Sequence, residues 1–130
     1  MRLLILAIMV AGVMPYLLTG IAKVGAFRAR DNARTREWQA TLTGWRQRAY
    51  WAHLNAFEAF PLFAAAVLCV LMFAPTHAHA PVLAWGFIGL RVAYGACFIG
   101  NWPRLRSLVW FLALACSLWL FGLAYRGAGN

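Results

Sequence analysis

Two charged side chains and one amide in apolar surroundings are the residues of this chain best suited to chemistry. Glu58 and Arg91 each interrupt a long apolar stretch, and Asn55 lies three residues before Glu58. A charge within a membrane is costly, so each of these side chains needs a partner or a function. On a helix, Arg48, Asn55 and Glu58 share one face because they are seven and three residues apart. This spacing predicts a polar pocket inside a bundle of helices.

Other polar side chains gather towards the same end of the predicted bundle. They are Lys23, Arg48, His53, Tyr94, Arg104, Arg106 and Ser107. Arginine binds carboxylates through two parallel hydrogen bonds, and a glutamate such as Glu58 can accept from a ligand ammonium group. Together these residues predict a site for a small, polar and mainly anionic ligand. The alternative is structural: an ion pair between Glu58 and Arg91 would join two helices without a ligand. The residue types alone leave both interpretations open.

The composition is that of a membrane protein. Of the 130 residues, 64% are hydrophobic and 12% are charged, about half the charged share of a soluble domain. Four apolar stretches are each long enough to cross a bilayer, which takes about 20 helical residues. We expect one all-α domain, 1–130, with helices at about 3–23, 49–74, 80–100 and 105–125. The first stretch is too long for a signal peptide and lacks a clear cleavage motif, so we expect a first transmembrane helix.

The net charge of +9 is distributed unevenly along the chain. Nine of the twelve lysines and arginines lie in or beside the first and third connections between predicted helices. Two lie at the opposite end, and Arg91 lies within a span. Positive residues favour the cytoplasmic side, so we expect these two connections there and both termini on the other side. The charge is therefore a topology signal, with secondary contacts to anionic lipids, and we expect no nucleic-acid partner.

The first connection, residues 25–48, is long for a compact protein. Trp38, Leu42 and Trp45 recur within it at helical spacing, between basic residues. This pattern is typical of a short amphipathic segment on the membrane surface. A solvated basic loop with incidental tryptophans fits the same sequence, so the two interpretations stand side by side.

The sequence indicates no metal site. His77 and His79 lie two residues apart in the turn after the second predicted span, with no acidic residue or cysteine nearby. Two histidines are too few ligands for a metal ion. The three cysteines fall inside predicted spans and form no C-x-x-C motif, so we interpret them as small apolar packing residues. They are Cys69, Cys97 and Cys116.

The second predicted helix resembles the MAPEG family, the membrane-associated proteins in eicosanoid and glutathione metabolism. The similarity rests on the pattern Arg-x6-Asn-x2-Glu-x2-Pro-Leu-Phe, which runs here from Arg48 through Asn55 and Glu58 to Phe63. The supporting similarities are Arg91-x2-Tyr94, Arg106-Ser107, and Leu18-Thr19-Gly20 followed by Lys23. Together they cover most of the chain.

The resemblance implies a homotrimer of four-helix subunits with glutathione as co-substrate, bound between neighbours near the cytoplasmic face. By the same resemblance, Asn55 and Glu58 bind the γ-glutamyl end of glutathione. Its other polar groups are assigned to Lys23, Arg48, Arg91 and Tyr94. The catalytic assignments are Arg106, which would stabilise the reactive thiolate, and Ser107 beside it.

Three positions depart from the eicosanoid-synthesising members of that family. Trp51, Ala59 and Phe98 stand where some of them carry arginine, tyrosine and tyrosine. These replacements remove polar contacts and argue against a dedicated eicosanoid synthase. We therefore expect a bacterial-type member in the inner membrane, with both termini periplasmic. It would be a glutathione transferase or peroxidase acting on lipophilic electrophiles that enter from the lipid. The alternative is a non-catalytic membrane protein whose buried polar residues serve helix packing or partner binding.

Overall fold

The computed structural model describes residues 1–129, which form four long helices and two short ones. The long helices are α1 (Arg2–Lys23), α3 (Gly44–Phe73), α4 (His79–Ile99) and α5 (Pro103–Gly127). Between α1 and α3 lie a 3-10 helix (Ala29–Arg34) and α2 (Thr35–Ala40). Each of the four long helices is long and apolar enough to cross a membrane. The predicted all-α architecture with four spans is confirmed.

Small side chains let the long helices approach one another closely. The fully buried alanines are Ala7, Ala49, Ala52, Ala66, Ala80 and Ala84. In lipid, the hydrophobic effect does not drive helices together as it does in water. Small residues instead favour association because they let the backbones approach closely. Phe63 of α3 and Phe87 of α4 are both buried, and their rings stack with centroids 3.9 Å apart. This stack fixes the rotation of α4 against α3.

A hydrogen bond from α3 supports α1 at its internal proline. Pro15 lies inside α1 and lacks the N–H that a helix interior normally uses. Its carbonyl oxygen accepts from Nδ1 of His53 at 2.7 Å, since a carbonyl can only accept. His53 therefore joins the two helices at the point where the proline weakens the backbone pattern of α1.

The long connection after α1 is ordered against the end of the bundle. Leu42 is buried in a small cluster with residues from the ends of α1 and α3. The ring of Trp38 meets Phe27 edge-on, with centroids 4.9 Å apart. Trp38 therefore lies on the short helix α2 and Leu42 in the loop after it, both packed on the bundle, whereas Trp45 lies exposed at the start of α3. Helix α3 begins at Gly44, five residues before the predicted start, because the polar segment before the apolar stretch is also helical.

A tight turn joins α4 to α5. Asn101 adopts the left-handed conformation with a φ of 60°, and the N–H of Trp102 donates to the carbonyl of Cys97 at 2.9 Å. This bonding pattern is a common way of ending a helix. Pro103 then begins α5 at once, at a position where its missing N–H costs nothing. The start of α5 consequently lies beside the end of α4.

At the opposite end of the bundle, Gly127 of α5 lies directly against the end of α3. A Cβ atom at Gly127 would collide with the carbonyl oxygen of Phe73. Only a residue without a side chain fits this approach. Together with the turn at Asn101, the contact fixes both ends of α5 against the rest of the bundle.

Candidate functional site

Asn55 links the two intramembrane charges. Arg91 of α4 donates from Nη2 to Oδ1 of Asn55 at 2.9 Å. Asn55 donates from Nδ2 to Oε2 of Glu58 at 3.1 Å. In the part of the chain that the structure describes, both ion pairs lie in the connection after α1, and neither includes Glu58. The direct Glu58–Arg91 ion pair considered from the sequence is therefore not formed, because an amide with both a donor and an acceptor lies between the charges.

A cavity of about 150 Å³ opens beside this hydrogen-bonded chain. We call it the Asn55 cavity. Its polar wall consists of Asn55, Glu58, Arg91 and Ser117, and the rest is mainly apolar and includes Trp110. A carboxylate and a guanidinium facing one space can bind a group that carries both an ammonium and a carboxylate. The Asn55 cavity therefore suits the end of an amino acid or peptide.

A second cavity, of about 310 Å³, lies between the end of α4 and the start of α5. We call it the Arg106 cavity; it is lined by Tyr94, Phe98, Arg106, Ser107, Trp110 and Phe111. The half-buried guanidinium of Arg106 lies over the ring of Phe98, 4.4 Å from its centroid. Ser107 donates from Oγ to the carbonyl of Pro103 at 3.1 Å, which orients its hydroxyl along α5. A fixed cation beside a hydroxyl can stabilise an anion that forms in this cavity.

The two cavities are neighbours in the bundle. Trp110 lines both of them. The guanidinium of Arg91 lies 4.4 Å from the ring centroid of Tyr94, and Tyr94 meets Phe98 edge-on at 5.6 Å. The aromatic pair Tyr94 and Phe98 therefore lies between two cations. Arg91 lines the Asn55 cavity, and Arg106 lines the Arg106 cavity. Two guanidinium groups against the single carboxylate of Glu58 make the combined site positively charged, which favours an anionic ligand.

The family model of the MAPEG family matches residues 3–126. The chain belongs to the MAPEG family. Its membership and its four long apolar helices make it a multi-pass integral membrane protein. Comparisons with curated proteins and with solved structures gave no match.

Two residues that the resemblance assigned to glutathione lie outside both cavities of this MAPEG subunit. The ammonium of Lys23 lies over the ring of Phe27, 4.4 Å from its centroid, at the end of α1. Arg48 donates from Nε to the carbonyl of Ile99 at 2.9 Å. That bond satisfies one of the free carbonyl groups at the end of α4. Within one subunit, Arg48 therefore joins α3 to α4 rather than facing either cavity.

The structure adds site residues that the sequence reasoning missed. Trp110 lines both cavities, and Ser117, a residue only 1% exposed, lines the Asn55 cavity. Ser107, Trp110 and Ser117 are three and seven residues apart, so they share one face of α5. That spacing could have indicated that Trp110 and Ser117 face the same side as Ser107. It did not single them out, because a tryptophan and a serine within an apolar stretch are ordinary packing residues.

The aromatic replacements noted in the sequence lie together in the structure. Trp51 of α3 approaches Phe98 of α4 with ring centroids 6.3 Å apart. Two of the replacements thus place aromatic rings together beside the Arg106 cavity, which Phe98 lines. Among residues 1–129 there is no group of three or more histidine, cysteine or acidic side chains that could hold a metal ion.

Proposed function

We propose that this MAPEG protein is a glutathione transferase or peroxidase that acts on lipophilic electrophiles. The observation that carries the proposal is the position of Arg106, whose cavity shares Trp110 with the cavity of Asn55 and Glu58. Glutathione has a γ-glutamyl group with both charges at one end and a thiol further along. The Asn55 cavity carries a charge of each sign, on Glu58 and Arg91, and the neighbouring Arg106 cavity carries a single cation. This arrangement matches the order of the charged groups and the thiol along glutathione.

In this proposal the Asn55 cavity holds the γ-glutamyl end. Glu58 accepts from the ligand ammonium, and Arg91 uses the N–H groups that Asn55 leaves free to bind the ligand carboxylate. Tyr94 contributes a polar contact from the Arg106 cavity. Lys23 and Arg48 would act on glutathione bound across a subunit boundary, in a homotrimer.

Arg106 acts on the sulfur. The thiolate is the reactive form of a thiol, and a guanidinium remains charged at any working pH. In a transferase reaction the thiol proton passes to solvent water, and the sulfur forms a bond to the electrophilic carbon as the leaving group departs with its electron pair. In a peroxidase reaction the thiolate attacks a hydroperoxide oxygen, the O–O bond breaks and an alcohol leaves; a second thiol then displaces water from the resulting sulfenic acid to form the disulfide. Arg106 stabilises the sulfur anion in both, with Ser107 beside it.

Purified protein tests the proposal directly. Isothermal titration calorimetry with glutathione measures binding, and a chromophoric aryl chloride or a lipid hydroperoxide measures turnover. S-methylglutathione is the matched control ligand, since it keeps every charged group and lacks the thiol. We expect both ligands to bind and only glutathione to support turnover. A protein that binds neither ligand would contradict the proposal.

The non-catalytic alternative has its own support in the structure. Arg91 is hydrogen-bonded to Asn55, and Arg48 to the carbonyl of Ile99, so both guanidinium groups already serve helix packing. If these contacts are the whole role of the polar residues, replacing them lowers stability and the wild-type protein binds no thiol. Thiol binding therefore distinguishes the two functions.

A further inference from the structure

A third cavity lies at the end of the bundle opposite to the candidate site, between the start of α4 and the end of α5. We call it the His-Arg groove; its volume is about 480 Å³. His77, His79 and Arg126 line its polar part, and Val82, Leu83, Trp119 and Leu123 line its apolar part. None of these residues lines the Asn55 cavity or the Arg106 cavity. The groove therefore needs a separate explanation.

The polar part and the apolar part of the groove lie at different depths along the bundle axis. Trp119, Leu123 and Arg126 are four and three residues apart, so they share one face of α5. At 1.5 Å per helical residue, Trp119 lies about 10 Å deeper than Arg126. Arg126 is in the last turn of α5, and His79 is the first residue of α4. The polar groups thus stand at the membrane surface and the apolar wall extends into the bilayer.

The polar part of the groove offers hydrogen-bond donors. The backbone N–H of His79 donates to Nδ1 of His77 at 3.3 Å. Because Nδ1 of His77 accepts that bond, the neutral ring carries its hydrogen on Nε2 and can donate it to a ligand. Arg126 adds a guanidinium that stays charged. The rings of His77 and His79 lie 5.4 Å apart, close enough for one group to contact both.

Among residues 1–129, no acidic side chain lies at this end of the bundle to offset the positive charge of the groove. Apart from the chain terminus, the basic side chains at this end of the bundle are Arg2, His77, His79 and Arg126, and three of these four line the groove. The acidic residues of the chain are Asp31, Glu37 and Glu58, all remote from this end. The apolar wall is open to the surroundings, with Val82 70% and Trp119 63% exposed. On the single subunit, such a surface is accessible to the acyl chains of lipids.

We propose that the His-Arg groove binds an anionic phospholipid, with its phosphate at His77 and Arg126 and an acyl chain along Trp119. Charge complementarity supports the headgroup, because donors and a cation gather where no acidic residue competes. The depth of the apolar wall supports the acyl chain, because it continues about 10 Å inward from the cation. The binding site is independent of the proposed thiol chemistry.

Fluorescence quenching by lipids with brominated acyl chains tests the inference. The protein is reconstituted in phosphatidylcholine vesicles that contain a minor fraction of brominated phosphatidylglycerol or, separately, of brominated phosphatidylcholine. The measured quantity is the quenching contributed by Trp119, obtained by subtracting the quenching of a Trp119→Phe variant. We expect the anionic lipid to quench Trp119 more strongly than the zwitterionic lipid at the same fraction.

Substitutions at the mouth of the groove locate the headgroup. A basic residue near the membrane surface changes anionic-lipid binding about fivefold, so Arg126→Gln should reduce the preference by about that factor. Arg126→Lys should retain it. Arg2→Gln is the matched control, since Arg2 is basic, lies at the same end and does not line the groove. If Arg126→Gln fails to fold, His77→Ala in the exposed turn before α4 tests the same headgroup contact.

Three results would overturn the proposal. The first is equal quenching of Trp119 by the two headgroups, which indicates ordinary bulk lipid. The second is a preference that survives both Arg126→Gln and His77→Ala. The third is quenching by a brominated fatty acid without quenching by brominated phosphatidylglycerol, which would assign the groove to a free carboxylate amphiphile instead.

Discussion

Arg106 is the side chain on which the proposed chemistry depends most. Its guanidinium is held over Phe98 beside the Arg106 cavity. Arg106→Gln removes the charge, so we expect the conjugation rate to fall about 10²-fold, as when one contact to a developing anion is lost. The Kd for glutathione, measured by calorimetry, should change far less. Arg104→Gln is the control, because Arg104 is exposed and lines neither cavity. Equal losses of rate in the two variants would contradict a specific role for Arg106.

Asn55 should matter for stability as well as for binding. Arg91 is only 3% exposed, and Asn55 accepts its hydrogen bond. Asn55→Leu leaves that buried charge without its acceptor, and losing a buried hydrogen bond to a charged group typically costs about 1.5–3 kcal/mol. Thermal unfolding in detergent should show a clear loss of stability. Leu54→Ala is the control, since Leu54 is the exposed neighbour of Asn55. A wild-type unfolding temperature for Asn55→Leu would mean that the hydrogen-bonded chain is not structural.

The contacts of Asn55 also show how far the sequence predicts the candidate site. Helical spacing places Asn55 and Glu58 on one face, and the charge of Arg91 requires a partner. Whether Arg91 contacts Asn55 or Glu58 depends on the rotation and depth of α4 against α3. That arrangement is set by packing across the interface, including the stack of Phe63 on Phe87. Sequence periodicity within one helix contains no information about that interface.

At the scale of the elements, the close approach of α5 to α3 gives a stability prediction. Gly127→Ala places a methyl group against the backbone of Phe73, so the helix ends must separate. Overpacking of this kind typically costs about 1–3 kcal/mol. Gly122→Ala is the matched control, because a Cβ at Gly122 meets nothing within 4 Å. We expect only Gly127→Ala to lower the thermal unfolding temperature in detergent, and similar values for both variants would contradict the close contact.

The elements themselves were largely predictable. A run of apolar residues predicts a span whatever it packs against, and all four long helices follow from that signal. The connection after α1 was harder, because Trp38 and Leu42 suit either a surface segment or a loop until their packing partners are known. Leu42 packs against residues distant in sequence, and local patterns do not identify such partners. The start of α3 was predicted too late for a different reason, because the polar segment before its apolar stretch is also helical.

At the scale of the whole molecule, the distribution of basic residues predicts the orientation. The first connection and the start of α5 should face the cytoplasm, with both termini on the other side. Thr41→Cys and Thr76→Cys, made in a background without the three native cysteines, place one exposed thiol at each end of the bundle. An impermeant maleimide added to intact cells should label position 76 and spare position 41 until the membrane is opened. The reverse labelling would invert the topology.

Glu58 supplies a physical reason to expect assembly. It lies near the middle of α3 and is exposed on the single subunit. A carboxylate facing hydrocarbon at that depth costs roughly 2.5–3.5 kcal/mol on insertion scales, and a neighbouring subunit that covers it would remove much of that cost. We therefore predict the homotrimer that the family resemblance implies, and native mass spectrometry of the detergent-solubilised protein should show three subunit masses. Dilution should reduce the trimer and glutathione binding together, since the proposed site extends across subunits. A stable monomer that still binds glutathione would show that Glu58 is paired by its ligand alone.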